Sequence, residues 1–400
     1  MNLKNEIKNL YNHMSKCSSQ IFVVALVLYL TSLMLGTTAY FTRNMGSWPG
    51  KILLALELLS YLVFLVKAII DFPKISLKKK IIYILLLISF LISGIVIEHK
   101  FFFLTAIIFM AADDMNDDKL ICTSLIIETL VFAVTIILAK IGIAEDYIFY
   151  QIDRTRAAMG FGWATTAPIM FFYITLGYIY LRKDKFKWYE AIMLQLVNYY
   201  VYKCTLTRLT FIMTTFVLVF FWIQTLWKKP WKILSKLNPV YLAVPVLFTI
   251  ISYLAPYFYK EESPIWYKID MLLNSRLMLG QWAIQKYGIT VFGQPIEWVG
   301  AGILNDGFAE NYNYVDCSYL QLLLMYGIIP FIFIIGIYIY GIFRSIKNDN
   351  YWAVFVLLAT LVHAVTEPHL IGFSMNIMVL LPLAKIKQIN SAVKTEEQSV

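Results

Sequence analysis

The chain has 400 residues, of which 60% are hydrophobic and only 15% charged, a balance that excludes an ordinary water-facing surface. The formal net charge of +9 would point to nucleic acid in a soluble protein. Here the Lys and Arg residues collect in short connections between apolar runs, as cytoplasmic loops of membrane proteins do, and no nucleic-acid partner is expected.

The apolar runs recur along the whole length, most of them long enough to cross a hydrocarbon core of roughly 30 Å as a helix. Period-two alternation is absent, which argues against a β-barrel. Runs bounded by charged or turn residues place spans near 21–40, 52–70, 81–97, 101–112, 120–141, 163–181, 189–206, 209–227, 239–255, 316–343, 351–366 and 370–386. The expected fold is therefore an all-α polytopic integral membrane protein of about 12 transmembrane helices. Lys4, Lys8 and Lys16 precede the first run, which is too long for a signal-peptide core and lacks a small-residue cleavage site; a retained span is expected. The run 101–112 is closer in length to a re-entrant or partly buried helix than to a full crossing. It stays in the count because removing it inverts every later connection and spoils the basic bias, which puts both termini in the cytoplasm.

Residues 1–389 read as one transmembrane helical domain, with a large extracytoplasmic loop at about 256–315 between spans 9 and 10, and 390–400 as a disordered cytoplasmic tail. Within the loop, Leu273, Leu277, Ile284 and Tyr287 recur at helical spacing over 270–287, which predicts one amphipathic helix on the outer interface. The inner connection 113–118 carries Asp113, Asp114, Asp117 and Asp118. Carboxylates so clustered hold a divalent cation or a nucleotide-sugar metal in some proteins; a solvated turn is the simpler reading. Cys17, Cys122, Cys204 and Cys317 show no metal or disulfide spacing, although Cys204 and Cys317 fall on the same side.

Three groups of residues on the expected outer side could carry chemistry. Arg154, Arg156, Arg208 and Arg276 sit at or near span ends; guanidinium groups bind phosphate bidentately and keep their charge where water is scarce, while an interfacial anchor would show the same placement. In HAVTEPHL, His363 and Glu367 are four residues apart and share a helix face before Pro368 ends it. A carboxylate or imidazole there, including His369, could take a proton from a sugar hydroxyl; a capped helix end is the plainer alternative, and no further ligand with recognisable spacing makes it a metal site. Asp316 and Ser318 stand where the loop enters a span and suit an N-cap, with Tyr319 and Tyr326 as interfacial or packing aromatics. Trp282 and Trp298 could stack on sugars or anchor at the interface.

In their order and their placement on the outer side, RAAMGFGWATTAP (156–168), TLTRLTF (205–211), NSRLMLGQWAIQKYGITVFGQPIE (274–297), VDCSYLQLLLMYGIIP (315–330) and HAVTEPHL (363–370) resemble the Wzy-type oligosaccharide repeat-unit polymerases, of the superfamily that includes O-antigen ligases. The similarity spans roughly 154–370; the first five spans match in hydropathy alone. After GFG many members have His-Pro-Asn, where this chain has Trp163, Ala164 and Thr165.

The resemblance implies a metal-independent glycosyltransferase without cofactors at the outer face of the cytoplasmic membrane, acting in capsule, exopolysaccharide or O-antigen synthesis. Its donor and acceptor would be undecaprenyl-pyrophosphate-linked oligosaccharides, and its partners membrane lipids, a flippase and chain-length regulator proteins. Arg154, Arg156, Arg208 and Arg276 would bind pyrophosphate beside Asp316 and Tyr319, and Glu367, or else His363 or His369, would deprotonate the acceptor. A ligase that transfers finished glycan is a close alternative. A lipid-linked oligosaccharide flippase or transporter is a more distant one, since mid-span ionisable residues are few, Glu57 and Glu128 being the clearest.

Overall fold

The computed structural model describes residues 11–99, 101–150, 154–226, 235–305 and 311–388; the expected tail 390–400, Lys4 and Lys8 lie outside the described residues. The chain is mostly helical. In order come α1 (Ser18–Gly36), α2 (Trp48–Asp71), α3 (Leu77–Val96), α4 (Phe103–Ala112), α5 (Asp117–Lys140), a hairpin of β1 (Ile148–Tyr150) and β2 (Thr155–Ala157), then α6 (Thr166–Arg182), α7 (Trp188–Thr205), α8 (Arg208–Leu226), α9 (Asn238–Tyr257), α10 (Pro264–Leu272), α11 (Arg276–Tyr287), α12 (Ile328–Lys347) and α13 (Tyr351–His363).

Among the described residues, α1, α2, α3, α5, α8, α9 and α12 are long and apolar enough to cross a membrane. In hydrocarbon every backbone N–H and C=O must be satisfied within the segment, which is why such sequences form helices. Their surfaces fit that solvent: Leu62, Ile95 and Phe216 are exposed, while Phe22, Phe64, Phe90 and Phe109 fill the interior. Helix α4 has 10 residues and is packed between α2 and α3, in keeping with its short run.

The connections gather at two ends. At one, the Tyr11 hydroxyl donates to the Ile70 carbonyl and Ser18 to Asp71, Lys79 pairs with Asp113, and Lys183 and Lys387 both pair with Asp118. At the other, Thr38 bridges to Phe161, Arg43 pairs with Glu145 and Arg156 donates to the Thr205 carbonyl. The acidic tract is thus no solvated turn. Asp117 is fully buried and accepts from the Tyr180 hydroxyl and the Lys387 backbone N–H; each of the four carboxylates has a cationic or hydroxyl partner.

Three expected elements differ. The run 316–343 does not form one span: a short helix (Ser318–Gln321) passes into a wide π turn (Leu322–Tyr326), and α12 starts only after Gly327, whose φ is +89°. The run 370–386 is buried but not helical. Its backbone is a series of tight turns, such as Gly372 N–H to His369 O and Leu381 N–H to Met378 O. The Asn376 side chain donates to the His369 and Leu370 carbonyls, and the Tyr338 hydroxyl also donates to Leu370 O. Pro382 packs against α12 so closely that a Cβ on Gly341 would lie 2.6 Å from it. Irregular backbone at this depth is tolerated because it is enclosed by protein. The segment ends by bridging Asn116 to Lys385. Finally, the single helix over 270–287 is two, α10 and α11, because Asn274 and Ser275 both adopt positive φ. All four cysteines are free, Cys204 and Cys317 included.

The large loop is stitched to the bundle where two glycines meet. Gly293 has φ +92°, and a Cβ on it would lie 2.1 Å from the Met325 carbonyl oxygen; a Cβ on Gly327 would lie 2.3 Å from the Gly293 nitrogen. The Gln294 N–H donates to that same Met325 oxygen, and the Ile328 and Ile329 N–H groups donate to Thr290 and Val291. A Gly293→Ala or Gly327→Ala variant is expected to lose about 1–3 kcal/mol to backbone strain alone, with the steric overlap in addition. Its melting temperature in detergent should fall by several degrees, whereas Gly46→Ala, with nothing within 4 Å, should melt like the native protein.

Candidate functional site

The site is built from the turn that follows α13. After His363 the chain still makes one bond of helical type, Glu367 N–H to His363 O, before Pro368 removes a donor and ends it. Ser318 clamps this turn to the loop's return strand: its Oγ donates to the Glu367 carbonyl (2.6 Å) and accepts from the Leu370 N–H. Its own backbone N–H donates to Ala364 O. The expected capping roles are therefore not filled by Asp316 or Ser318; the short helix that begins at Ser318 has no side-chain cap.

The clamp buries the Glu367 carboxyl, 4% exposed, next to the first residue of α11. Arg276 Nη2 lies 3.4 Å from Glu367 Oε1 and 3.4 Å from Asp316 Oδ2, so one guanidinium nitrogen is shared by two carboxylates. These distances exceed the 2.7–2.9 Å or so of a closed charge-assisted hydrogen bond. Arg276 Nη1 donates to Leu273 O, while its buried Nε has no hydrogen-bond partner among the described residues. What fixes Arg276 is the break before it. Asp270, buried, accepts from the N–H groups of Leu277 and Met278, and a carboxylate at a helix N-terminus also opposes the positive end of the helix dipole. Gly280 then lets α11 pack against Pro256 and Leu320, about 3 Å from where its Cβ would be.

Arg156 approaches from the hairpin. It is 5% exposed, lies over the Trp163 ring at 5.4 Å, and donates through Nε to Thr205 O and through Nη2 to Thr207 Oγ1. Burial lowers its pKa to about 10, with the neighbouring charge of Arg154 adding to the effect and the carboxylates of Glu367 and Asp316 opposing it. Burial raises both carboxyls, Glu367 and Asp316; Arg276 and Arg156 pull both down, and Asp316 pushes Glu367 further up. Burial likewise holds the His369 imidazole down to about 4. Two carboxyls with raised proton affinity beside fixed guanidinium groups give a pocket that can hold a proton and attract an anion together.

The structure thus brings Arg156, Arg276, Asp316 and Glu367 together, with Arg154 adjacent to Arg156. It does not bring the others. Arg208 is exposed at the start of α8. Tyr319 is 1% exposed and spends its hydroxyl on Leu361 O, which makes it a packing residue. His363 is fully buried, stacked on Phe172 with ring centres 4.2 Å apart, and its Nδ1 lies 3.3 Å from the Tyr173 hydroxyl. That partner was unreadable, since Tyr173 falls inside an apolar run. Trp282 sits under Lys286 at 4.5 Å, while Trp298 stacks edge-on with Tyr287 and Tyr314. Tyr314, whose hydroxyl burial pushes up to about 12, and Tyr312 also feel the charge of Asp316 and Glu367. Among the described residues no group of three His, Cys, Asp or Glu side chains could hold a metal ion. Comparison of the chain with protein-family models, curated proteins and solved structures gave no match.

A carboxyl whose proton affinity is raised by folding binds protons that the unfolded chain has already lost. Stability should therefore fall as the pH rises from the ordinary carboxylate range through the shifted value. Replacing Glu367 with Gln should flatten that alkaline fall in melting temperature, with little effect below the ordinary carboxylate pKa. Melting curves across pH for the two proteins check this.

Proposed function

We propose that the chain is a glycosyltransferase that polymerises lipid-linked oligosaccharide repeat units, in the manner of the Wzy-type family it resembles. The observation that carries the reading is the buried Glu367 carboxyl held against Arg276, with the charge of Arg156 also acting on it, at one end of a membrane-embedded bundle. Elsewhere on that end, ionic pairs such as Arg43 with Glu145 are surface contacts, both side chains well exposed. The loop contacts support twelve passages of the chain between the two ends, eleven helical and the last the irregular 370–385. The basic connections at the Asp117 end would be cytoplasmic, which puts the Glu367 end outside the cytoplasmic membrane.

In this reading Arg276, Arg154 and Arg156 bind the pyrophosphate of the donor, an undecaprenyl-pyrophosphate-linked glycan. The hydroxyl oxygen of the acceptor's non-reducing sugar attacks the donor's anomeric carbon. A new C–O glycosidic bond forms and the bond to pyrophosphate breaks, leaving the electron pair and charge on the phosphate oxygen. Guanidinium groups placed where that charge develops stabilise the transition state, and Arg276 Nε is free to turn toward it. The acceptor's proton passes to Glu367, a base whose raised proton affinity suits it to act near neutral pH. As the proton arrives, Glu367 ceases to compete for Arg276, and the guanidinium is released to the leaving group. Asp316 then keeps Arg276 in place. His369 and the Tyr173-bound His363 are less suited to the role, the first held neutral by desolvation and the second enclosed.

Deletion of the gene should leave single repeat units on the lipid carrier, read as glycan length by gel electrophoresis and mass spectrometry; full-length chains in the deletion strain would refute the reading. Arg276→Ala should abolish polymer with the protein still inserted and abundant, a loss of about 100-fold or more in rate for a charge acting at the leaving group. Arg208→Ala, at an exposed position, should retain most of the activity.

A further inference from the structure

Beside the same turn lies a second feature that the reaction described above does not use. A cavity of about 470 Å³ is bounded by α1, α2, the connection before α4, the 318–326 segment and residues 368–374. Ser318 and Pro368, which clamp and end the Glu367 turn, form part of its wall. Its volume falls within the roughly 300–1,000 Å³ of small-ligand sites.

The lining combines two chemistries. Tyr29, Tyr61, Phe102, Tyr326 and Phe373 give it aromatic faces, fixed by mutual packing: Tyr29 with Tyr61 and Phe373 at 5.4 Å each, and Phe102 with Tyr326 at 4.3 Å. Among them stand the polar groups of Glu57, His99, Gln321 and Ser374. Glu57 is the notable one. It lies within the apolar helix α2, and its Oε1 accepts from the Tyr61 hydroxyl at 2.8 Å. Its other oxygen has no hydrogen-bond or ionic partner in the described residues and stays accessible to the cavity. Gln321 also lines the cavity, but its Nε2 is buried beside the Tyr314 hydroxyl. An ionisable side chain within a membrane helix is costly and marks a polar ligand path.

An acyl chain would fill the aromatic faces and leave Glu57 unmet. A free phosphate would be repelled by Glu57. A sugar ring meets both demands, with C–H faces for the aromatic rings and hydroxyls that donate to a carboxylate.

Resting on the polymerase reading, we infer that this cavity binds a sugar residue of the acceptor glycan. The acceptor sugar then lies beside the Glu367 turn, whose neighbours Ser318 and Pro368 form part of the cavity wall. Glu57 is a binding residue that sets which acceptor is taken, and it takes no part in bond making.

The test replaces Phe101, which lines the cavity, with the photoreactive p-benzoylphenylalanine in cells that make the glycan. Irradiated protein is analysed by mass spectrometry. A carbohydrate-bearing adduct is expected, absent from a strain that makes no lipid-linked glycan. Glu57→Gln, at normal protein abundance, should reduce it about tenfold, the affinity of one charge-assisted hydrogen bond, and Tyr61→Phe should reduce it less. An adduct of phospholipid alone, an amine headgroup on Glu57 included, overturns the inference, as does a carbohydrate adduct indifferent to both substitutions. If polymer is lost in the deletion strain while only phospholipid is captured, the cavity assignment fails and the polymerase reading stands. Full-length polymer in the deletion strain removes the polymerase reading and the acceptor assignment with it.

Discussion

A single guanidinium shared between the buried Glu367 carboxyl and the half-buried Asp316 carboxyl is the interaction on which this end of the molecule depends. Arg276 Nη2 is equidistant from Glu367 and Asp316 at 3.4 Å, too far to close either pair tightly. Neither carboxyl can be fully ionised cheaply, because burial penalises the charge and the single cation is divided. The arrangement can therefore take up a proton beside an unsatisfied arginine, which is what a step transferring a proton and expelling an anion requires. Four separate parts of the chain must be in register for it to exist. The Asp270 cap starts α11 at Arg276, the Ser318 clamp closes the Glu367 turn, Thr205 at the end of α7 and Thr207 just past it fix Arg156, and the Gly293–Gly327 contact ties the loop to the bundle.

The opposite end serves a different purpose. There the acidic connection 113–118 gathers Lys79, Lys183, Arg344 and Lys387 from four regions of sequence, and Asp117 is wholly enclosed with Tyr180 as donor. These contacts give each of the four carboxylates of that connection a cationic or hydroxyl partner. At the Glu367 end donors and acceptors are left over, at Arg276 Nε and in the cavity beside Glu57. The asymmetry between a closed ionic network and an open one separates scaffold from site more clearly than composition does.

Much of the scaffold was legible because membrane helices are written in runs of one solvent preference, and the helices found follow those runs to within a few residues. The exceptions have a common cause. The segment 370–386 is as apolar as any span, and only the fully enclosed position beside α12, with Asn376 satisfying the carbonyls, makes a non-helical path affordable. The break at Gly327 and the split at Asn274 and Ser275 depend on positive φ angles that composition does not encode. Within the site, Glu367, Arg276, Arg156 and Asp316 stood out because charged residues near hydrocarbon are expensive. The same criterion selected Arg208, which is exposed, and the ordered motif selected Tyr319, which packs. Asp270 as a helix cap and Tyr173 as the partner of His363 depend on contacts across long stretches of sequence, and no local pattern announces them.

The central claim is that Glu367 is the base and that its proton and Arg276's charge act in one step. Purified protein in lipid vesicles, given lipid-linked repeat units isolated from the deletion strain, tests it directly. The account predicts that the native protein builds polymer with a rate that rises with pH through a range well above that of an ordinary carboxylate. Glu367→Gln should bind the same lipid and form no polymer. Polymer formed by Glu367→Gln at the native rate, with the same pH dependence, would contradict it.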